Sequence, residues 1–136
     1  MKFTCDSSVL VPALLGAHPR HEAALHAIRQ RVTSLPGHVY LETFSVLTRL
    51  PAGLRVHPRE AADALSRLGW TLLPATAGTY PRIVIGLVDA DLRGGATYDG
   101  LVAAVAKNHG LTLITADTRA RRTYSAIGVE VEFLDS

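Results

Sequence analysis

Four carboxylates in this chain stand where their chemistry could be used: Asp6, Glu42, Asp99 and Asp117. The chain has 12 Asp and Glu among its 136 residues, and Glu22, Glu60, Asp63, Glu130, Glu132 and Asp135 read as ordinary solvated positions. Asp6, in contrast, directly follows a short β-prone run, Lys2-Phe3-Thr4-Cys5, and Asp117 follows the strand-like Leu111 to Thr115 with only Ala116 between. In a parallel sheet both would reach the same edge, the carboxyl ends of the strands, where open α/β sheets place their sites. Asp99 falls in the first turn of one expected helix and Glu42 in the first turn of another, one position off its apolar stripe. Helices starting above that edge bring all four acids into one cleft.

Each acid taken alone has an ordinary reading: Asp99 and Glu42 at the positive end of a helix, Asp117 as a cap, Asp6 as a turn residue. Taken together they do not, because carboxylates about 4 Å apart repel by roughly 4 kcal/mol per pair at an effective dielectric near 20. A cation must offset that repulsion. The only lysines are Lys2 and Lys107, and Lys107 lies at the far end of its helix. An all-oxygen donor set without clustered Cys or His selects a hard divalent ion, Mg²⁺ or Mn²⁺, over zinc. Such an ion orients and acidifies a water for in-line attack on a phosphodiester. Asp6, Asp99 and Asp117 would hold it directly, Glu42 would hold it or orient its waters, and Ser7, Ser8 and Thr115 would steady the carboxylates.

The elements that must position these acids alternate. Strands are expected at Lys2 to Cys5, Val32 to Leu35, Trp70 to Leu73, Leu111 to Thr115 and Val129 to Phe133. Between them lie helical patterns: Val9 to Leu15 capped by Ser7-Ser8, His21 to Arg31, Tyr40 to Leu50, Pro58 to Leu68, Thr79 to Gly94-Gly95, Thr97 or Tyr98 to His109, and Arg119 to Ala126. Leu41, Phe44 and Leu47 form the stripe of the third helix, and Ile83, Val84, Leu87 and Val88 are expected to face inward from the fifth. Strands joined through helices imply crossovers, hence an α/β fold with a parallel sheet between helical layers.

Composition bounds the rest. A chain of 136 residues without repeats or linkers reads as a single domain, 1–136, that needs no staple. One cysteine, Cys5, cannot form an intrachain disulfide, which favours a reducing, cytoplasmic setting. The apolar run Val9 to Leu15 is too short for a membrane span of roughly 20 residues and lacks a signal peptide's layout. The net charge of +2 carries no bulk electrostatic message, although all but two of the 14 basic residues are Arg, the better phosphate ligand.

The succession Asp6-Ser7-Ser8, Tyr40-Leu41-Glu42-Thr43, Gly94-Gly95-Ala96-Thr97-Tyr98-Asp99 and Thr115-Ala116-Asp117 resembles the PIN-domain nucleases, and within them the VapC-type toxins of toxin–antitoxin modules. The similarity runs through nearly the whole chain and is most specific from Gly94 to Gly128. It implies a three-layer PIN-like fold and a Mg²⁺-dependent endoribonuclease with Asp6, Glu42, Asp99 and Asp117 as catalytic acids. It also implies a homodimer silenced by a small cognate antitoxin. Where some PIN domains carry a further acid, this chain has Arg119, leaving four acids and weakening the case for a second firmly held ion.

Arg119, Arg121 and Arg122 follow Asp117 and either grip the RNA backbone beside the cleft or form a solvated helix face. His18, His21 and His26 read as solvated or capping residues, Cys5 and Trp70 as core. The apolar content of the first two helices and of Pro58 to Leu68 points to a surface for a partner chain. Two rivals remain: a receiver-like phosphotransfer domain, which would need paired acids after the first strand and a late lysine, and a catalytically silent RNA-binding domain of the same fold.

Overall fold

The computed structural model describes residues 2–134. Five short parallel strands, β1 (Phe3–Cys5), β2 (Ser34–Pro36), β3 (Thr71–Leu73), β4 (Thr112–Thr115) and β5 (Val131–Phe133), alternate with seven helices. The helices are α1 (Ser7–Leu14), α2 (His21–Ile28), α3 (Gly37–Thr48), α4 (Pro58–Ser66), α5 (Thr79–Asp89), α6 (Ala96–Asn108) and α7 (Arg121–Ile127), with a 3₁₀ turn at Thr118–Ala120 before α7.

β4 lies between β1 and β5, pairing Cys5 with Ile114 and Thr115 with Phe133. β2 and β3 pair separately, Ser34 opposite Thr71. A bridge between Phe3 and Val32, and a hydrogen bond from Thr4 Oγ1 to the Ser34 carbonyl at 2.9 Å, join the two groups into the order β3-β2-β1-β4-β5. β4 is the axis of the core because its residues are apolar or β-branched, and Leu113, Ile114 and Thr115 are fully buried. Helices α1 to α4 pack together, α5 to α7 pack together, and α1 and α6 both rest on β4. This is the parallel α/β layering expected from the alternation of elements.

Several boundaries and faces differ from expectation, each for a local reason. α1 begins at Ser7 with Asp6 itself as N-cap, its side chain accepting the Ser8 N–H. α2 ends at Ile28 instead of Arg31, and Gln30 takes a left-handed φ of 62°. α3 begins at Gly37, three residues before Tyr40, because Pro36 at the N-cap has φ −55° and leads directly into the helix. Glu42 is therefore in the second turn, and no acid lies in the first. α5 stops at Asp89; Asp91 (φ 54°) and Gly94 (φ 63°) turn the chain before α6.

The inward stripe of α5 is narrower than expected. Ile83 and Leu87 are buried, whereas Val84 and Val88 are 55% and 70% exposed. On α3, Leu47 is buried and Leu41 faces out. The apolar surplus of the first two helices is absorbed internally, with Val9, Leu10, Ala24 and Ile28 in the main core. Cys5 is fully buried, which pushes its thiol up, and Trp70 packs half-buried against the core. His18 accepts the Arg20 N–H at Nδ1 and the His21 ring bonds the Pro12 carbonyl, so both serve local structure.

Candidate active site

After β1 the chain crosses through α1 and α2 to β2 on one side, and after β4 it crosses through α7 to β5 on the other. The carboxyl ends of β1 and β4 are thus the point where the winding of the sheet reverses, and departing loops leave a crevice there. Asp6 and Asp117 enter this crevice from those strand ends. Asp6 continues the ladder, its N–H donating to the Ile114 carbonyl at 3.2 Å.

Asp6 is 5% exposed, and both carboxylate oxygens are held. Oδ1 accepts the Ser8 N–H at 3.1 Å and the Ser8 hydroxyl at 2.5 Å. Oδ2 accepts the Thr115 hydroxyl at 2.5 Å and the Tyr124 hydroxyl at 2.6 Å. Two of these hydroxyls are set by backbone donors: Ala116 N–H donates to Ser8 Oγ at 2.8 Å and Asp117 N–H to Thr115 Oγ1 at 3.1 Å. With those lone pairs occupied, each hydroxyl proton turns to Asp6, as an ionised carboxylate requires. Burial pushes the Asp6 carboxyl up, and the Asp117 charge adds to that, while the bonds from Ser8, Thr115 and Tyr124 pull it back.

Asp117 caps the 3₁₀ turn, accepting the Arg119 N–H at 3.0 Å, and its side chain is 30% exposed with Arg119 Nε 3.6 Å away. Asp99 occupies the first turn of α6, half-buried. Its carboxyl is pushed up to about 6, first by burial and then by the charges of Asp117, Asp6 and Glu42, with Arg119 opposing. Glu42 Oε1 accepts the Ser7 hydroxyl at 2.8 Å, so the residue next to Asp6 tethers it. Its Oε2 lies 3.9 Å from His38 Nε2. The His38 ring stacks on Tyr98 (centroids 5.4 Å apart, planes 8° from parallel), tying the start of α3 to the start of α6. Gly100, beside Asp99, lets α5 approach α6: a Cβ there would meet Ile83 Cγ2 at 3.1 Å.

Asp99 therefore lies within electrostatic reach of the other three expected acids, and Asp6 within reach of Asp117. Among the described residues, no group of three or more His, Cys, Asp or Glu side chains is arranged to hold a metal ion outright. The donor set nevertheless fits a hard cation that keeps much of its water: it is all carboxylate oxygen, the repulsion at Asp99 is only partly opposed by Arg119, and no lysine neutralises it. Lys107 is committed elsewhere, donating to the Ile127 carbonyl at 3.0 Å.

The three arginines occupy different settings. Arg119 is 94% exposed beside Asp117. The Arg121 guanidinium lies 4.0 Å over the Phe133 ring, and Arg122 donates to the Ala90 carbonyl at 2.9 Å. Ser7, Ser8 and Thr115, expected from the sequence to support the acids, each do so for at least one. Tyr124, whose phenol is held well above its usual range by burial and by Asp6, and the approach of His38 to Glu42 are not among the sequence expectations. A tyrosine on an otherwise inward helix face is the one signal that would have pointed to Tyr124.

The sequence profile of the PIN domain matches residues 3–126. The chain is 43% identical over 129 residues to Ribonuclease VapC27 of Mycobacterium tuberculosis (strain ATCC 25618 / H37Rv), covering 93% of this chain and 92% of that one. Its fold is similar to the crystal structure of Mycobacterium tuberculosis VapC20, a sarcin-ricin loop cleaving toxin, with a TM-score of 0.70 at 23% identity over 92% of this chain and 94% of that one. It is also similar to VapBC2 from Rickettsia felis bound to a DNA fragment from their promoter, with a TM-score of 0.70 at 16% identity over 99% and 100% of the two chains. A profile match over that span, together with 43% identity across nearly all of both chains, shows that this protein belongs to the PIN-domain family, in its VapC group.

Proposed function

We propose that this chain is a Mg²⁺-dependent endoribonuclease, with Mn²⁺ as a substitute, and the toxin of a type II toxin–antitoxin module. The observation that carries the reading is the meeting of Asp6, Glu42, Asp99 and Asp117 at the sheet's reversal point, where Asp99 feels the charge of the other three. The ribonuclease name of the 43% identical relative supports it. Asp6, Asp99 and Asp117 would hold the ion. When bound, it acidifies a water for attack on the phosphodiester and offsets charge at the leaving oxygen.

The chain's own groups divide the remaining work. Ser8 and Thr115 hold Asp6 in place, and Tyr124 donates to its Oδ2. Glu42, steadied by Ser7, accepts from a water at the mouth of the cleft and orients it. Arg119, exposed at the rim beside Asp117, is placed for a backbone phosphate, and Arg121 and Arg122 extend the basic edge with guanidinium groups already ordered by Phe133 and Ala90. The exposed apolar row Tyr80, Val84, Ile85 and Val88 on α5 supports a homodimer. The pairing in VapBC2 supports a small cognate antitoxin as partner. Among the described residues no helix is long and apolar enough to cross a membrane, and a cytoplasmic RNA substrate is the natural target.

The receiver-like alternative finds no support, since β1 delivers a single acid to the crevice and Lys107 is committed away from it. Purified protein is expected to cleave RNA with Mg²⁺ or Mn²⁺, to stop with EDTA, and to lose at least 100-fold activity on Asp6→Asn or Asp117→Asn. Full cleavage by either variant overturns the proposal. RNA retained with and without metal but never cut identifies a silent binding domain instead.

A further inference from the structure

We propose that Tyr124 is a positioning residue that sets the cation affinity of the site by occupying an acceptor position on Asp6 for which the cation must compete. The proposal rests on the metal-dependent reading above. A carboxylate offers about four lone-pair positions. Those of Asp6 are taken by Ser8 N–H, the Ser8 hydroxyl, the Thr115 hydroxyl and the Tyr124 hydroxyl. Direct ligation of a cation by Asp6 therefore displaces a donor.

The four donors are not equally dispensable. Ser8 N–H is backbone in the first turn of α1. The Ser8 and Thr115 hydroxyls each also accept from a backbone N–H, so moving either one strands Ala116 or Asp117. Tyr124 reaches Asp6 from α7, 118 residues away in sequence, on a side chain 1% exposed, and the groups hydrogen-bonded to its oxygen are the side chains of Asp6 and Thr115. Of the three hydroxyls on Asp6 it is the one whose withdrawal strands no backbone N–H. Three donors remain to orient the carboxylate without it, so removing it makes Asp6 a stronger ligand and does not loosen it. That is opposite in sign to the usual loss when a group supporting a metal ligand is removed.

The test is Mn²⁺ binding, read by the electron paramagnetic resonance of free Mn²⁺, with metal-free thermal melts alongside. Tyr124→Phe is expected to bind Mn²⁺ about tenfold more tightly than wild type, about 1.4 kcal/mol, while melting lower without metal. Unchanged or weaker binding overturns the proposal, because a tyrosine needed only for packing lowers the melt without tightening the ion. Wild-type protein grown with 3-fluorotyrosine, whose phenol is the stronger donor, retains the native ring packing and is expected to bind Mn²⁺ more weakly; tighter binding also overturns it. Wild type and Asp6→Asn binding Mn²⁺ equally would instead mark failure of the metal-site reading itself.

Discussion

Asp99→Asn is expected to make the metal-free protein more stable at pH 8 and to abolish catalysis. The Asp99 carboxyl is raised from 3.8 to about 6 by burial and by Asp117, Asp6 and Glu42. A carboxyl raised on folding binds its proton more tightly in the native state. The stability it contributes is thus complete below about pH 4 and is lost as pH rises through 6. Two pKa units correspond to about 3 kcal/mol. Because Asp99 is only half-buried, solvent screening reduces this to about 1.5 kcal/mol. The favourable place of an acid in the first turn of α6 returns about 0.5 kcal/mol, which leaves about 1 kcal/mol in favour of Asn. For a chain of this size that is about 4 °C in Tm. Melts of both proteins in EDTA at low salt, from pH 4 to 8, should show the curves apart at pH 8 and together at pH 4. Saturating Mg²⁺ should then raise the wild type more than the variant. If Asp99→Asn is no more stable at pH 8, or keeps its advantage at pH 4, the four acids are not repelling one another and the cleft reading fails.

Gly100→Val drives a branched side chain into Ile83, 3.1 Å from where its Cβ would sit. Urea unfolding should show a loss of about 1–3 kcal/mol, with unchanged stability refuting the close α5–α6 approach. Val88→Asp, at a position 70% exposed, should leave stability within about 0.5 kcal/mol while converting a dimer to a monomer in sedimentation; a persisting dimer would place the interface elsewhere.

The acids were legible because a residue at the end of a strand has one destination in a parallel sheet, and Asp6 and Asp117 sit at such ends. Asp99 was legible because Gly94-Gly95 fix where its helix starts. Glu42 arrived at the cleft although its helix begins earlier than periodicity indicated; Pro36-Gly37 reads as a break, yet the φ of proline also suits a helix entry. The outward row of α5 was illegible in principle. Ile83 with Leu87 and Val84 with Val88 are both apolar i, i+4 pairs, and only packing against α6 and α7 decides which pair is buried. Tyr124 escaped because its partner lies 118 residues away, and no local pattern encodes that contact.

That separation gives the cleft a timetable. Asp6 and its α1 supports lie early in the chain, but the Thr115 and Tyr124 hydroxyls that complete the set are 109 and 118 residues downstream. The helices between can form from local contacts, while closing so long a loop is the slow step of such a topology. The set of donors around Asp6 is therefore complete only after β4 has docked beside β1 and α7 has brought Tyr124 to Asp6.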